Sequence, residues 1–203
     1  MKNRLTEIFG TRTVLCDGAM GTSLYSRGIF INRCYDELNL SQPEVVRTVH
    51  EEYLQAGAEI IETNTFGANA LRLQRYGLAD KVIEINRAGV DIARKAINQR
   101  ADKQGGKVWI AGAVGPLGAR LEPLGKIGLD EAQAAFAEQI RGLAEGGVDL
   151  LLIETVSALN EAEQAILADR IVPAFAHRFQ DGCAELFRIA GCEPAVGPHL
   201  RSP

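Results

Sequence analysis

The chain has 203 residues, 46% apolar and 24% charged, with a formal net charge of −4, which is enough apolar material for one sizeable core. No run of basic residues is longer than two, so nucleic acid and anionic membranes are excluded as main partners. With no membrane-length or signal-length apolar window and only four cysteines, too few for a disulfide scaffold, the expectation is a reduced, soluble, cytoplasmic protein.

In chain order, Val14–Asp17 reads as a short buried strand closed by the turn Gly18-Ala-Met-Gly-Thr22. Residues 23–40 are mixed and dotted with aromatics, and read as a long loop. Ser41-Gln-Pro-Glu44 has the form of a helix start, with Ser41 as cap, Pro43 in the first turn and Glu44 closing a capping box. Val45, Val49, Tyr53 and Ala56 then share a helical face, and Gly57 stops the helix. Ile60–Asn64 is the second strand. The spacing of Val82, Ile85, Ala88 or Gly89, and Ile92 predicts a helix from Ala79 to about Ala96, followed by the charged, glycine-ended loop Gln99–Gly106.

Val108–Val114 is the third strand, closing on Gly115-Pro-Leu-Gly118. Leu129-Asp-Glu-Ala-Gln133 opens a helix with Phe136, Ile140, Leu143 and Ala144 on its apolar face, ended by Gly146-Gly147. Leu150–Glu154 is the fourth strand, and Leu159 to about Asp169 is helical by composition. From Ile171 onward no further strand tip can be found. The strands are continuous apolar runs, as parallel strands buried on both faces should be, and they alternate with helices as crossover units do. The expected fold class is α/β: an incomplete (β/α)8 TIM barrel of about the first four β/α units, with an irregular C-terminal tail. A complete barrel takes eight units and about 250 residues. The domain reading is therefore residues 1–170 as half of a barrel and 171–203 as a tail unrelated to it, with open sheet edges available for self-association.

The repeat Gly57-Ala-Glu-Ile-Ile-Glu-Thr-Asn-Thr65 and Gly147-Val-Asp-Leu-Leu-Leu-Ile-Glu-Thr155 aligns without a gap, placing Asn64 and Glu154 at matching strand tips. Polar groups gathered at the carboxyl ends of parallel strands are how a β/α barrel builds its site. Asp17 is a third such tip, followed by Gly18 and Ala19, whose backbone N–H groups can hold a carboxylate while Asp17 accepts from an ammonium; the plainer alternative is a loop-capping aspartate. Glu154 ends a Leu-Leu-Leu-Ile run, where an unpaired carboxylate costs several kcal/mol and so calls for a partner. Glu62 and Asn64 share one face of their strand, as pocket groups or as a buried hydrogen-bonded pair. Cys16, one residue before Asp17, is expected on the opposite face as a core thiol. His50 falls inside the first crossover helix, as surface or core packing. Gly115-Pro-Leu-Gly118 either lets backbone approach a ligand or is an ordinary turn. Gly125-Lys-Ile-Gly128 lacks the spacing of a phosphate loop, and no lysine stands at a strand tip, which argues against a Schiff-base aldolase.

Four strings in order, Leu15-Cys-Asp-Gly-Ala-Met-Gly-Thr22, Glu62-Thr-Asn-Thr-Phe-Gly-Ala-Asn69, Ala113-Val-Gly-Pro-Leu-Gly118 and Leu152-Ile-Glu-Thr155, resemble homocysteine S-methyltransferases, including the amino-terminal module of cobalamin-dependent methionine synthase. Asn39-Leu-Ser-Gln-Pro-Glu44 and Arg120-Leu-Glu-Pro-Leu-Gly125 resemble in particular the bacterial enzymes that join this module to a methylenetetrahydrofolate reductase. The resemblance covers residues 10–168. It implies a (β/α)8 barrel in which homocysteine thiolate attacks an activated methyl group to give methionine. By position, Asp17, Gly18 and Ala19 would hold the amino-acid end of homocysteine, Glu154 would receive its ammonium, and Asn64 would line the pocket.

The family's thiol activation uses zinc held by three cysteines on later strands, because a free thiol of pKa about 8.5 is mostly protonated at neutral pH. Two of those cysteines are adjacent, and this chain has no Cys-Cys pair. Cys183 and Cys192, with His177 and His199, match no zinc spacing. The expectation is a chain without metal ligands and without activity of its own, interrupted near residue 170. The methyl donor, methylcobalamin fed by methyltetrahydrofolate or a sulfonium or betaine compound, would contact other parts of a complete protein. The rival readings are a non-catalytic half barrel that binds an amino acid or a partner chain, and a different barrel enzyme using Asp17 and Glu154 as acid and base.

Overall fold

The computed structural model of the chain describes residues 8–100 and 106–172. Its centre is a parallel sheet of β1 (Ile60–Glu62), β2 (Trp109–Val114) and β3 (Leu150–Ile153), in that spatial order. Ile61 stands opposite Ile110, and Ala113 opposite Leu152. The helices are α1 (Met20–Ser26), α2 (Leu38–Ser41), α3 (Pro43–Gln55), α4 (Ala70–Leu73), α5 (Val82–Gln99), α6 (Leu129–Gly146) and α7 (Leu159–Ile171). α5 is the crossover from β1 to β2, and α6 from β2 to β3. Parallel neighbours cannot be joined by a hairpin, so each step along the sheet requires one such helix. α5 packs on α6 and on α3, and α6 packs on α7 and β2.

All six residues of β2 are buried, because it is covered on both faces and flanked by a strand on each side. Phe136, Ile140 and Leu143 of α6 are fully buried in one core with Ile61, Ile110, Ala111 and Val114 of the sheet. The expected Val82, Ile85, Gly89 and Ile92 are buried on α5, and on α6 the expected Phe136, Ile140 and Leu143 are buried while Ala144 is only half-buried and Ala132 joins the buried face instead. Gly147, at φ 84°, terminates α6 in the left-handed region that glycine adopts at no steric cost.

The first expected strand departs from this pattern. Val14–Asp17 forms no ladder; it makes a single parallel bridge, Cys16 to Ile60. Leu15 O accepts from Glu59 N–H and Ile60 N–H, and Asp17 N–H donates to Ile60 O at 3.0 Å. The segment thus lies alongside β1, but the turn at Gly18 ends it before a second pair can form. Residues 23–40, expected as loop, contain most of α1 and part of α2, with Leu24 and Leu38 fully buried. Ser41 closes α2 rather than capping α3: its hydroxyl donates to Glu37 Oε2, while Gln42 occupies the cap position and Pro43 the first turn. The buried stripe of α3 is Val46, Val49, His50 and Leu54, about one residue round from the expected Val45, Val49, Tyr53 and Ala56. The difference arises because α3 packs on both α1 and α5.

Among the described residues, no strand pairs with the outer edge of β3. The parallel sheet has three strands among the described residues. Cys183, Cys192, His177 and His199, and the rest of the expected tail, lie outside the described residues.

Candidate functional site

A cavity of about 540 Å³ opens at the carboxyl ends of the strands, and Asp17, Gly18, Ala19, Asn64 and Glu154 all line it. So does Glu62, the last residue of β1. Asp17 is held by two donors: Glu62 N–H bonds its Oδ2 at 3.0 Å, and the Cys16 thiol approaches its Oδ1 at 3.6 Å. Cys16 Sγ also lies 3.4 Å from Glu62 Oε1. The thiol expected in the core therefore turns toward the acids and is exposed. The two-residue alternation of a strand fails there because the chain leaves the sheet immediately afterwards.

Glu62 and Glu154 both line the cavity, and the charge of Glu62 acts on Glu154, so three carboxyls and a thiol gather in one place. Their electrostatics follow from burial. Desolvation disfavours the charged form, and it pushes Asp17 up to about 7, a rise that Glu62's charge reinforces and the hydrogen bond from Glu62 N–H opposes. Burial likewise raises Glu62; for Glu154 burial comes first and the charge of Glu62 second. Although Cys16 is exposed as a residue, its thiol end is partly desolvated beside the cavity acids, and this desolvation and then both neighbouring carboxylates drive it above its ordinary range, so it keeps its proton at neutral pH. Next to Glu154, Thr155 sits at φ 58°, a left-handed conformation that a β-branched residue adopts only at a cost of order 1–3 kcal/mol and that tends to occur where function constrains the backbone.

Behind the acids, Asn64 is engaged in structure. Its amide donates to Tyr35 O at 2.7 Å and to Asn39 Oδ1 at 3.1 Å, and its own carbonyl accepts from Asn39 Nδ2. The repeat matches Asn64 with Glu154 in register, and Glu62 lines the same cavity with them. The glycines of the motifs face protein rather than open space. A Cβ on Gly18 would stand 2.9 Å from the Tyr53 hydroxyl, which itself bonds Ala19 O, and one on Gly115 would stand 2.5 Å from the Phe66 ring. The Gly18 and Ala19 N–H groups have no acceptor among the described residues.

The opposite wall comes from segments the sequence reads as loop. Asp36 accepts from Gly67 N–H at 2.8 Å, and Arg72 lies over the Phe66 ring at 5.4 Å. Arg33 and Cys34 complete that side, with the Cys34 thiol raised to about 11, first by burial and then by Asp36. No periodicity marks these residues; Phe66, Gly67 and Arg72 follow the tip of β1, whereas Arg33, Cys34 and Asp36 lie in sequence far from any strand tip. His50 is not part of the cavity. It is fully buried on α3 with neither ring nitrogen hydrogen-bonded, and burial lowers it to about 4.

The zinc cage implied by the resemblance is not assembled by the described residues. The one group of potential ligands among them is Cys16, Asp17 and Glu62, whose donor atoms lie within 4.8 Å of one another. Its thiol is held protonated by two carboxylates, the reverse of the thiolate that zinc requires. Cys34 faces Asp36 instead, at 3.8 Å. These residues do not fit the metal.

A parallel β/α sheet whose acidic tips surround a cavity at the carboxyl ends is the ligand-binding arrangement of barrel enzymes. The family model for homocysteine S-methyltransferase matches residues 14–185, and the chain belongs to that family. Methionine synthase of Mycobacterium tuberculosis is 34% identical over 187 residues, covering 85% of this chain and 16% of that protein. The homocysteine methyltransferase MmuM from Escherichia coli superposes in its oxidised form with a TM-score of 0.75 at 27% identity, covering 85% of this chain and 63% of the other. Its metallated form gives 0.71 at the same identity, over 82% of this chain and 62% of the other. The chain thus spans about a sixth of the curated relative and under two thirds of the solved one. No helix among the described residues is long and apolar enough to cross a membrane.

Proposed function

We propose that this chain carries the amino-acid-binding part of a site that transfers a methyl group to the thiol of homocysteine. The observation that carries the reading is the convergence of Asp17, Glu62 and Glu154 beside the acceptor-free N–H groups of Gly18 and Ala19. An α-amino acid presents an ammonium and a carboxylate on neighbouring atoms. The acids suit the first, and the backbone N–H groups suit the second. Asn64 keeps Tyr35 and the tip of β1 in place behind them. Family membership supports the thiol as the nucleophile. No step through a metal is assigned to these residues, and the methyl donor is left to surfaces beyond them.

Calorimetric titration of the 203-residue chain with L-homocysteine tests the reading. Saturable one-to-one binding that Asp17→Asn and Glu154→Gln each weaken supports it, and no heat beyond dilution at millimolar ligand overturns it.

A second reading, a half barrel that binds an amino acid without catalysis, is favoured by the separate carboxylate partners of Cys16 and Cys34. Equilibrium dialysis with zinc separates the two, since tight stoichiometric zinc binding would sink the second. We also read the chain as cytoplasmic and, through the open edge of β3, prone to self-association; a monodisperse monomer at all concentrations in sedimentation would contradict the latter.

A further inference from the structure

Tyr53 sits in the last turn of α3, half-buried between two cores: that of the sheet, and a smaller one that includes Leu24, Leu38, Val46 and Val49. A phenylalanine would fill that space as well, so packing leaves the hydroxyl unexplained. The hydroxyl reaches across to the turn that follows the first strand tip. It donates to Ala19 O at 3.2 Å and stands 3.5 Å from Ser23 Oγ. The ring closes on Gly18 in the same place. A Cβ on Gly18 would stand 2.9 Å from the Tyr53 hydroxyl oxygen, 3.0 Å from Cε1 and 3.1 Å from Cζ, closer than side chains pack. Those three atoms are the nearest neighbours of that position, so it is Tyr53 that requires glycine there.

The Gly18–Ala19 peptide, which carries the Ala19 N–H, is thereby gripped at both flanks. The ring bears on Gly18, and the hydroxyl holds the carbonyl that follows. A peptide unit is planar, so two fixed flanks restrict where its N–H points. Glycine supplies no such direction of its own. Gly18 and Ala19 line the cavity and Tyr53 does not, which puts the turn between the ring and any ligand. The Gly18 and Ala19 N–H groups have no acceptor among the described residues. Donors fixed in advance bind an anion better than donors the anion must itself order, since the freedom is lost on folding rather than on binding.

We propose that Tyr53 is a positioning residue for carboxylate recognition: its ring and hydroxyl hold the Gly18–Ala19 turn so that the free N–H groups receive the α-carboxylate of the substrate. The inference rests on the reading that the pocket seats an amino acid. Tyr53 acts through the turn and touches no ligand itself. Losing its hydroxyl therefore removes selectivity for the carboxylate, while Asp17, Glu62 and Glu154 keep their hold on the ammonium. A role in packing alone makes the opposite statement. Phenylalanine would then serve as well as tyrosine, and any loosening of the pocket would weaken every ligand alike.

The test is calorimetric titration of the full chain with L-homocysteine and with 3-aminopropane-1-thiol, which has the same thiol and ammonium but no carboxylate. Tyr53→Phe should lower homocysteine affinity about tenfold, the loss of one hydrogen bond, and leave 3-aminopropane-1-thiol binding unchanged. Amide proton NMR supplies a second readout, and it decides where 3-aminopropane-1-thiol gives no measurable heat. Homocysteine should move the Gly18 and Ala19 N–H resonances downfield in the unmodified chain and move them less in Tyr53→Phe; equal shifts in the two would refute the proposal. Unmodified homocysteine affinity in Tyr53→Phe, or equal losses for both ligands, would overturn it while leaving the amino-acid reading intact. Absence of homocysteine binding to the unmodified chain would overturn both. If Tyr53→Phe loses its native circular dichroism, Gly18→Ala decides, because its added Cβ displaces the turn against a ring that is still present. A loss confined to homocysteine then supports the proposal, and unchanged or unselective binding refutes it.

Discussion

The two ends of one sheet use acidic residues in opposite ways. At the amino ends of the strands, Glu59 pairs with Arg12 at 2.7 Å and Asp149 with Lys107 at 3.4 Å, and Asp149 also accepts from Ile110 N–H. At the carboxyl ends, Asp17, Glu62 and Glu154 form no ion pair with a lysine or arginine among the described residues, and Asp17 is held by the Cys16 thiol and the Glu62 N–H. The first arrangement is complete in itself. The second is left short of a positive charge and is shifted toward protonation by burial, which is the condition of a site that awaits a cationic ligand. The lesson is that an acid at a strand tip is informative according to what is missing beside it.

The largest effects should separate the two ends by ligand rather than by fold. Asp17→Asn and Glu154→Gln are each expected to reduce homocysteine affinity on the order of 100-fold, the loss of a charge-assisted contact of about 1.5–3 kcal/mol, while the urea midpoint holds or rises. Glu59→Gln at the other end should leave affinity unchanged. Equal losses from both ends would break the comparison.

Stability against pH comes next, and two groups act with opposite sign. His50 is neutral in the fold, with a value near 4 against an unperturbed 6.5, so the unfolded chain binds the extra proton first as pH falls. Stability should drop by about 3 kcal/mol between pH 6.5 and 4, and His50→Leu should flatten that limb in urea titrations at each pH. Asp17 is raised to about 7, so its protonated form is favoured by the fold. Its contribution is fully present below about pH 4 and is lost as pH rises to 7. With water at the cavity mouth reducing the effect, this amounts to about 2 kcal/mol, and Asp17→Asn should remove it. A homocysteine-saturated chain should lose the same limb, since bound ammonium stabilises the ionised acids.

The smallest effect belongs to the partly exposed pairs. Arg12→Met is expected to cost 0.2–1 kcal/mol, measured as a small shift in urea midpoint that vanishes at high salt. A larger cost would mean that the amino-end ion pairs hold the sheet together more firmly than their exposure allows.

Much of this molecule could be read from its residues one after another. The alternation of apolar runs with amphipathic helices and the extent of α6 are local properties: burial periodicity shows in the spacing of Val82, Ile85, Gly89 and Ile92, and the end of α6 in the glycine that follows, whereas α5 starts and ends three residues later than its expected Ala79–Ala96. The five residues expected in the site all line one cavity for the same reason, since strand tips of a parallel sheet share an end. Tertiary structure alone decided which polar atoms touch. It brought Glu62 into the cavity beside Glu154 while tying Asn64 to Tyr35 and Asn39, turned Cys16 toward the acids, and built helices into residues 20–41, where the mixed composition carries no period. Periodicity reports which face of an element is covered. Contacts at a tip depend on where the extended chain leaves the sheet and on what neighbouring loops already occupy, and neither of those is encoded in the spacing of a single segment.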